Sequence, residues 1–391
     1  MDKAKQKPGL PGDTGLSAAF PARRTNTSAL RLVATRLQLR EPADCGHDDW
    51  NAGRDQLLAW LGIELEKLPQ VKAAGFKQVA HWAMSSSAAG TAPEFAPWQC
   101  FSPVALQNGG IANLPRAQWV SSYLIDHGPG QIARQRACDL ALMSPHPAMC
   151  APDEDGAAPT PRLAVLKAMI GAARSEGRDK LAIIVHARQC NAMAKLLLLA
   201  DRGLTREGIT LEILSIEEAL APLAAEPERW NAIIVMPDLR GIVMALLVQS
   251  SGVTSPWPMV WHGGGGLGLV AGESLEQGGR LLALDGSLLV HALALALQHA
   301  GMTQAAQRLH AAWARLRDKG VVTEGRGARA PYVNRVEAAV LIDLVCSDIV
   351  DIARPVPEWR ALSAHAETHA EAPCAPVRLS LVADRPSAPH S

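Results

Sequence analysis

The sequence predicts an α/β fold built on a large mixed, partly parallel sheet, and three observations carry that expectation. LAIIVHA at 181–187 and Ala232 to Met236 are short apolar runs without alternation, the pattern of strands covered on both faces. Between them a helix through Lys195–Leu199, a strand at Thr210–Leu214 and a helix at Glu217–Ala225 alternate, as crossover units of a parallel sheet do. A chain of 391 residues, 48% of them hydrophobic, can bury the core of one large α/β unit or of two lobes.

The elements follow in order. Residues 1–27 are polar and rich in turn formers. LLAWLGIEL at 57–65 is the clearest early helix, and SSSAAGTAPEFAP at 85–97 has the composition of a lobe boundary. DLALM at 139–143 is a short strand, and APDEDGAAPTP at 151–161 a solvated loop. A helix over 162–175 groups Leu163, Val165, Leu166, Met169 and Ile170 on one face. After the strand at 232–236, Pro237-Asp238 closes the run and Gly241 opens an apolar helix. Residues 251–285 are expected to be a loop, then Ser287–His299 and Thr303–Arg317 a helical pair. Gly320, Gly325 and Gly327 mark a turn, and Val333 to Asp351 a last amphipathic helix. From about 354 the chain is rich in Pro, Ala and His, the composition of a disordered tail.

Composition excludes several classes. The formal net charge is zero, which gives no electrostatic reason to expect nucleic acid or an anionic membrane as partner. MDKAKQKPGLPGD has no apolar core segment, and the longest apolar stretch, Leu288 to Leu297, contains His291 and is too short to span a bilayer. Seven cysteines, scattered and without a CxxC, point to reduced thiols and so to a cytoplasmic protein.

The segment from Trp230 to Leu246, WNAIIVMPDLRGIVMAL, resembles the strand–turn–helix of the isocitrate/isopropylmalate dehydrogenase family, D-V-I-V-T-x-N-L-F-G-D-I-L-S-D. Gly241 is kept, while the two metal-binding aspartates fall on Ile242 and Leu246. GLPGDTGLSAAF is similar to the family's I-P-G-D-G-I-G-P-E start, with Gly12, Asp13 and Gly15 in place. DLALMSPHP matches D-L-V-I-V-R-E-N-T, with Ser144 in place of a substrate arginine. LAIIVHARQC resembles V-T-x-V-H-K-A-N-V and keeps Val185 and His186, the family lysine falling on Ala187. Ile216-Glu217-Glu218 stands where the family has V-D-A/N, so Glu217 takes the place of a third metal aspartate. WHGGGGLGLVAG resembles the adenine-nucleotide loop V-H-G-S-A-P-D-I-A-G. LDGSLLVHALALALQHAG and GVVTEGRG resemble two later family segments, Asp285-Gly286 replacing an Asn-Pro.

The resemblance implies an isopropylmalate dehydrogenase-like two-lobed fold. Residues 1–97 and 251–353 would form a large nucleotide-binding lobe, 98–250 a smaller lobe with dimer contacts, and 354–391 a tail. It implies NAD or NADP as cofactor, held by His262, Gly263, Gly264, Ala271, Gly272 and Asp285. It also implies a homodimer, or a heterodimer with an intact relative. Family members oxidise a secondary alcohol and decarboxylate the product, with a divalent metal polarising the oxygen. Ile and Leu cannot ligate Mg²⁺ or Mn²⁺, and Ala187 has no proton to move, which argues against metal. The candidates left for catalysis are His186, Glu217 and Asp238, with Glu217 also the one metal-ligand candidate. The expectation is therefore a family-like protein, catalytically impaired and acting as a binding or regulatory subunit. The alternatives are an active NAD(P)-dependent oxidoreductase with a rebuilt site, and a structural partner with no small-molecule site. Each residue also has a plain reading: Ile242 and Leu246 as a core-facing stripe, His186 as a packed histidine, GGGGLG as a mobile loop.

Overall fold

In the computed structural model, residues 35–40, 47–68, 92–107, 117–127, 138–151, 159–200, 209–263, 266–275, 282–325, 333–347 and 356–363 are described. They form an α/β unit around one ten-stranded mixed sheet. The strands are β1 (Thr35–Arg40), β2 (Ile63–Leu68), β3 (Glu94–Phe101), β4 (Ala117–Asp126), β5 (Cys138–Pro145), β8 (Lys180–Val185), β9 (Thr210–Ser215), β10 (Ala232–Val235), β11 (Trp257–Gly263) and β12 (Gly266–Glu273). The short β6 (Cys150–Ala151) pairs with β7 (Thr160–Pro161), and β13 (Val321–Val322) with β14 (Asn334–Arg335). The order in the large sheet is β2-β1-β3-β12-β11-β4-β5-β10-β8-β9.

Pairing is parallel from β2 to β12 and again from β5 to β9. The three central pairings, β12–β11, β11–β4 and β4–β5, are antiparallel. Burial follows from position. The inner strand β10 is buried at all four residues, and β8 is buried from Leu181 to Val185. The edge strand β2, IELEKL, keeps polar residues toward solvent.

Helix α7 (Gly286–His299) is buried continuously from Gly286 to Leu297 and lies against β3, β11 and β12. Around it pack α1 (Asp48–Leu61), α8 (Thr303–Asp318) and α9 (Ala338–Cys346). This explains why the helix is apolar all round: it is covered by protein on every side and needs no polar face. Gly286 is required where α7 meets α9, since an added Cβ would lie 2.8 Å from the Ala338 carbonyl oxygen. On the other half of the sheet lie α2 (Pro103–Gln107), α3 (Leu163–Ser175), α4 (Cys190–Ala200), α5 (Ile216–Ala225) and α6 (Arg240–Ser251).

Four expectations need correction. LLAWLGIEL is not one helix: α1 stops at Leu61, and Gly62 takes a left-handed φ of 71° that turns the chain into β2. Residues 251–285 are not a loop but hold the hairpin β11–β12, whose valines and tryptophans are strand formers. The last helix covers only Ala338–Cys346, because Asn334–Arg335 pairs in parallel with β13 instead. Residues 356–363, assigned by composition to a tail, are packed: Trp359 is 1% exposed, and Arg360–Leu362 form one 3₁₀ turn. The strands at 139–143, 181–187, 210–214 and 232–236 and the helices at 162–175, 287–299 and 303–317 lie where the sequence puts them, within a few residues.

Candidate functional site

Strands β5, β10 and β8 are adjacent and parallel, so their C-terminal ends open on one edge of the sheet. In open α/β sheets that edge is where loops converge and ligands bind. Here the turns after these strands carry His146, Asp238 and His186.

His186 follows β8 directly and caps a single 3₁₀ turn at Ala187–Gln189. Its backbone N–H donates to Gln189 Oε1 at 2.9 Å, and Gln189, buried, donates in turn to the Pro159 carbonyl at 2.7 Å. The backbone under the imidazole is thus pinned from two sides. Asp238 leaves β10 after Pro237, and its Oδ2 lies 2.6 Å from His186 Nε2. The two side chains are 33% and 46% exposed, so the pair is anchored at its base and open to solvent at its tip. An imidazole held against a carboxylate has its ring orientation fixed and can exchange a proton with a bound group.

The neighbours are less reactive. Cys150 sits close enough for Asp238 to act on it; burial first, then that carboxylate, pushes its thiol up to about 11. Cys190 approaches the His186 carbonyl at 3.9 Å, and its pKa is raised by burial and by Glu218 and Glu217. Both are thiols near neutral pH, poor nucleophiles. His146 accepts from the Ala148 N–H through Nδ1, and burial lowers its pKa.

Glu217 does not join the pair. It stands exposed in the first turn of α5, after β9, one strand beyond β8. Among the described residues no group of three His, Cys, Asp or Glu could hold a metal ion, so the donor set does not fit Mg²⁺ or Mn²⁺. The plain reading of a core-facing stripe holds for one of its two residues. Leu246 is partly buried and packs against the core, whereas Ile242 is 48% exposed, and Arg240, Val243, Met244 and Leu247 are the buried face of the helix.

The residues expected at a nucleotide loop have been taken up by regular structure. His262 and Gly263 belong to β11, Ala271 and Gly272 to β12, and Gly264 lies outside the described residues. His262 stacks flat on Trp119, with centroids 3.7 Å apart and planes 8° apart, and its Nε2 is 3.3 Å from Ser121 Oγ. Desolvation, with His299 nearby, pushes its pKa down to about 3, so it is a neutral packing group. Ala271 is fully buried, and a Cβ on Gly272 would come within 3.2 Å of Leu288 on α7. Asp285 is the N-cap of α7: its Oδ1 accepts from the Leu288 N–H at 2.9 Å.

One group escapes the sequence reading. Arg240, the first residue of α6, is fully buried and forms a two-pronged ion pair with fully buried Glu273 at 2.8 and 2.7 Å. Its remaining N–H groups reach Ser144 Oγ, Ser122 Oγ and the Leu142 carbonyl. Ser122 also donates to Glu273. Ser144, which stands where the resemblance puts a substrate arginine, is thereby spent on an internal partner. The signal in the sequence is a charge set against an apolar run, Arg240 before GIVMALL and Glu273 after GLVAG, but their pairing depends on strand order.

Fold and edge together define an isocitrate dehydrogenase-like α/β architecture. The chain is similar to the crystal structure of isocitrate dehydrogenase from Methylococcus capsulatus, with 13% identity, TM-score 0.51, and coverage of 80% of this chain and 98% of that one. It is also similar to the TT0538 protein from Thermus thermophilus, with 15% identity, TM-score 0.52, and coverage of 87% of this chain and 74% of that one. At these identities the likeness defines the fold. No protein-family model and no curated protein matches the sequence. Among the described residues no helix is long and apolar enough to cross a membrane.

Proposed function

We propose that this chain is a catalytically impaired protein of isocitrate dehydrogenase-like fold that acts as a binding or regulatory subunit. The observation that carries this reading is Ile242. Where the resemblance places a metal aspartate stands a branched aliphatic side chain, 48% exposed. Helices α5 and α6 pack together, and they present Leu220, 42% exposed, with Ile242 and partly buried Leu246. Exposed aliphatic side chains suit a subunit contact better than a site for a hard cation. The partner is a second copy or an intact relative. NAD or NADP remains the ligand class to test, with the lobes divided at about 97 and 250.

The test is thermal unfolding of the purified chain with NAD, NADP, Mg²⁺ and Mn²⁺, alone and in pairs. A ligand at about 100 times its Kd adds about 2.7 kcal/mol, which is readily seen. No shift with metal is expected. Metal-dependent stabilisation together with turnover of a 2-hydroxy acid would overturn the reading.

The His186–Asp238 pair favours a second reading, an oxidoreductase with a rebuilt acid–base site. On that reading His186→Ala lowers turnover about 10²–10⁴-fold. Glu217→Gln, away from the pair, leaves turnover unchanged.

A further inference from the structure

The large sheet ends on two strands, β2 and β9, and they meet solvent differently. β2 reads IELEKL, and its carboxylates pair with the next strand, Glu64 with Arg36 at 3.3 Å and Glu66 with Gln38 at 3.1 Å. Charges on an edge strand deter a further strand from pairing there. β9 reads TLEILS and has no such guard. Its one charge, Glu212, is spent within the chain: both oxygens accept from Arg229 at 3.1 Å, and Oε2 also accepts from the Trp230 indole at 3.1 Å.

The backbone fixes which groups of β9 look outward. Thr210 donates its N–H to the Asp179 carbonyl at 2.7 Å, on the β8 side. Direction alternates along a strand, so Thr210, Glu212 and Leu214 bond toward β8, while Leu211, Ile213 and Ser215 turn away from it. The Ser215 N–H is taken by Glu218 Oε2 at 2.9 Å. Those of Leu211 and Ile213 meet no acceptor among the described residues. The connections β8–α4–β9 and β9–α5–β10 run in opposite directions along the sheet, so right-handed crossovers put α4 and α5 on opposite faces of β9. Both helices pack on β9. They carry three of the seven exposed large apolar side chains among the described residues: Leu198 and Leu199 on α4, 72% and 62% exposed, and Leu220 on α5.

We propose that β9 is the edge through which two copies of this chain join, antiparallel about a two-fold axis, so that their sheets run on as one. The proposal deepens the reading of the chain as a subunit and rests on it for the existence of a partner. Charge and symmetry select a second copy. A two-fold axis perpendicular to the sheet keeps each face on its own side, so outward-bonding residues oppose outward-bonding residues. With Glu212 on the axis two carboxylates would face each other, which destabilises a strand pair. With Ile213 on the axis, isoleucine meets isoleucine, Glu212 faces Leu214 and Leu211 faces Ser215. Ile213 then exchanges two hydrogen bonds with its copy, and the Leu211 N–H donates to the Ser215 carbonyl of the second copy. A strongly acidic or basic strand would find no counter-charge on β9, because Glu212 is already paired.

The test is analytical ultracentrifugation of the full chain over a concentration series, with two edge variants. Ile213→Pro removes an outward N–H and no bond to β8, and circular dichroism checks the fold. Leu198→Lys/Leu199→Lys changes only exposed side chains and puts charge beside the edge. A dimer is expected for the natural chain, weakened about tenfold or more by each variant. A chain still monomeric at about 100 μM overturns the proposal. If the Leu211 and Ile213 amides of that monomer exchange slowly, another segment of the chain covers the edge. A dimer that survives both edge variants but dissociates with Ile242→Asp also overturns it, and leaves the subunit reading standing on α6.

Discussion

Arg240 and Glu273 are charged groups with no access to water, and their stability rests on completeness. Every N–H of the guanidinium except those bound to Glu273 meets Ser122, Ser144 or the Leu142 carbonyl. Removing one partner strands the other charge in the interior. Arg240→Met is therefore expected to cost about 3–5 kcal/mol in urea unfolding, while Arg240→Met/Glu273→Leu recovers most of it. If the double variant is as unstable as the single one, the pair contributes more than mutual neutralisation. A second expectation concerns pH. His310 is 3% exposed and its Nε2 is 3.1 Å from that of His127. Burial, then His127, pushes its pKa down to about 3, while an unfolded histidine titrates near about 6.5. Above that value both states are neutral and stability is fully present. As pH falls from there toward 3, the unfolded chain takes up the proton first, so stability drops by about 1.4 kcal/mol per pH unit for this group. His310→Gln should flatten that slope in unfolding curves taken between about pH 7 and 4.5, and an unchanged slope would assign it elsewhere.

At the scale of elements, legibility tracks the locality of the signal. Strands β8 and β10 are readable because a strand buried on both faces is apolar throughout. The hairpin β11–β12 is not, because its glycines, Gly263, Gly266, Gly268 and Gly272, read as a loop. Glycine there serves close packing, as at Gly272 under Leu288, and that neighbour is sixteen residues away. The members of the His186–Asp238 pair are legible one by one, but their 2.6 Å contact follows from β10 inserting beside β8, which only the topology decides. Local caps are the opposite case. Ser215 Oγ accepts from the Glu218 N–H, and Glu218 Oε2 accepts from the Ser215 N–H, closing a capping box at the start of α5. Ser215→Ala is expected to cost about 1 kcal/mol. Hydrogen exchange should show faster opening in the first turn of α5 and none in α6; uniform acceleration would mean that the cap acts on the whole fold.

At the scale of the molecule, the last described segment ties distant parts together. Trp359 enters the core edge-on to Tyr123 of β4 at 5.6 Å and to His291 of α7 at 5.1 Å. The Arg360 N–H donates to Asp139 Oδ2 in β5 at 2.8 Å, and the Leu362 carbonyl accepts from Gln307 of α8 at 3.4 Å. Residues 356–363 therefore contact both sets of elements that the resemblance assigns to separate lobes. Composition hides this because one tryptophan in a Pro- and Ala-rich run changes no average, yet it fills a full core position. Trp359→Ala leaves a large hole beside a buried imidazole and should cost about 3–5 kcal/mol. Truncation after residue 363 keeps every one of these contacts and should leave the unfolding midpoint near that of the full chain. Truncation after residue 355 removes them and should lower the midpoint at least as far as Trp359→Ala does. If the segment only covers surface, the two truncations unfold together. If it clamps the two sets of elements, loss of the segment should also broaden the transition, because α8 and β5 then lose a shared restraint and unfolding ceases to be one cooperative step.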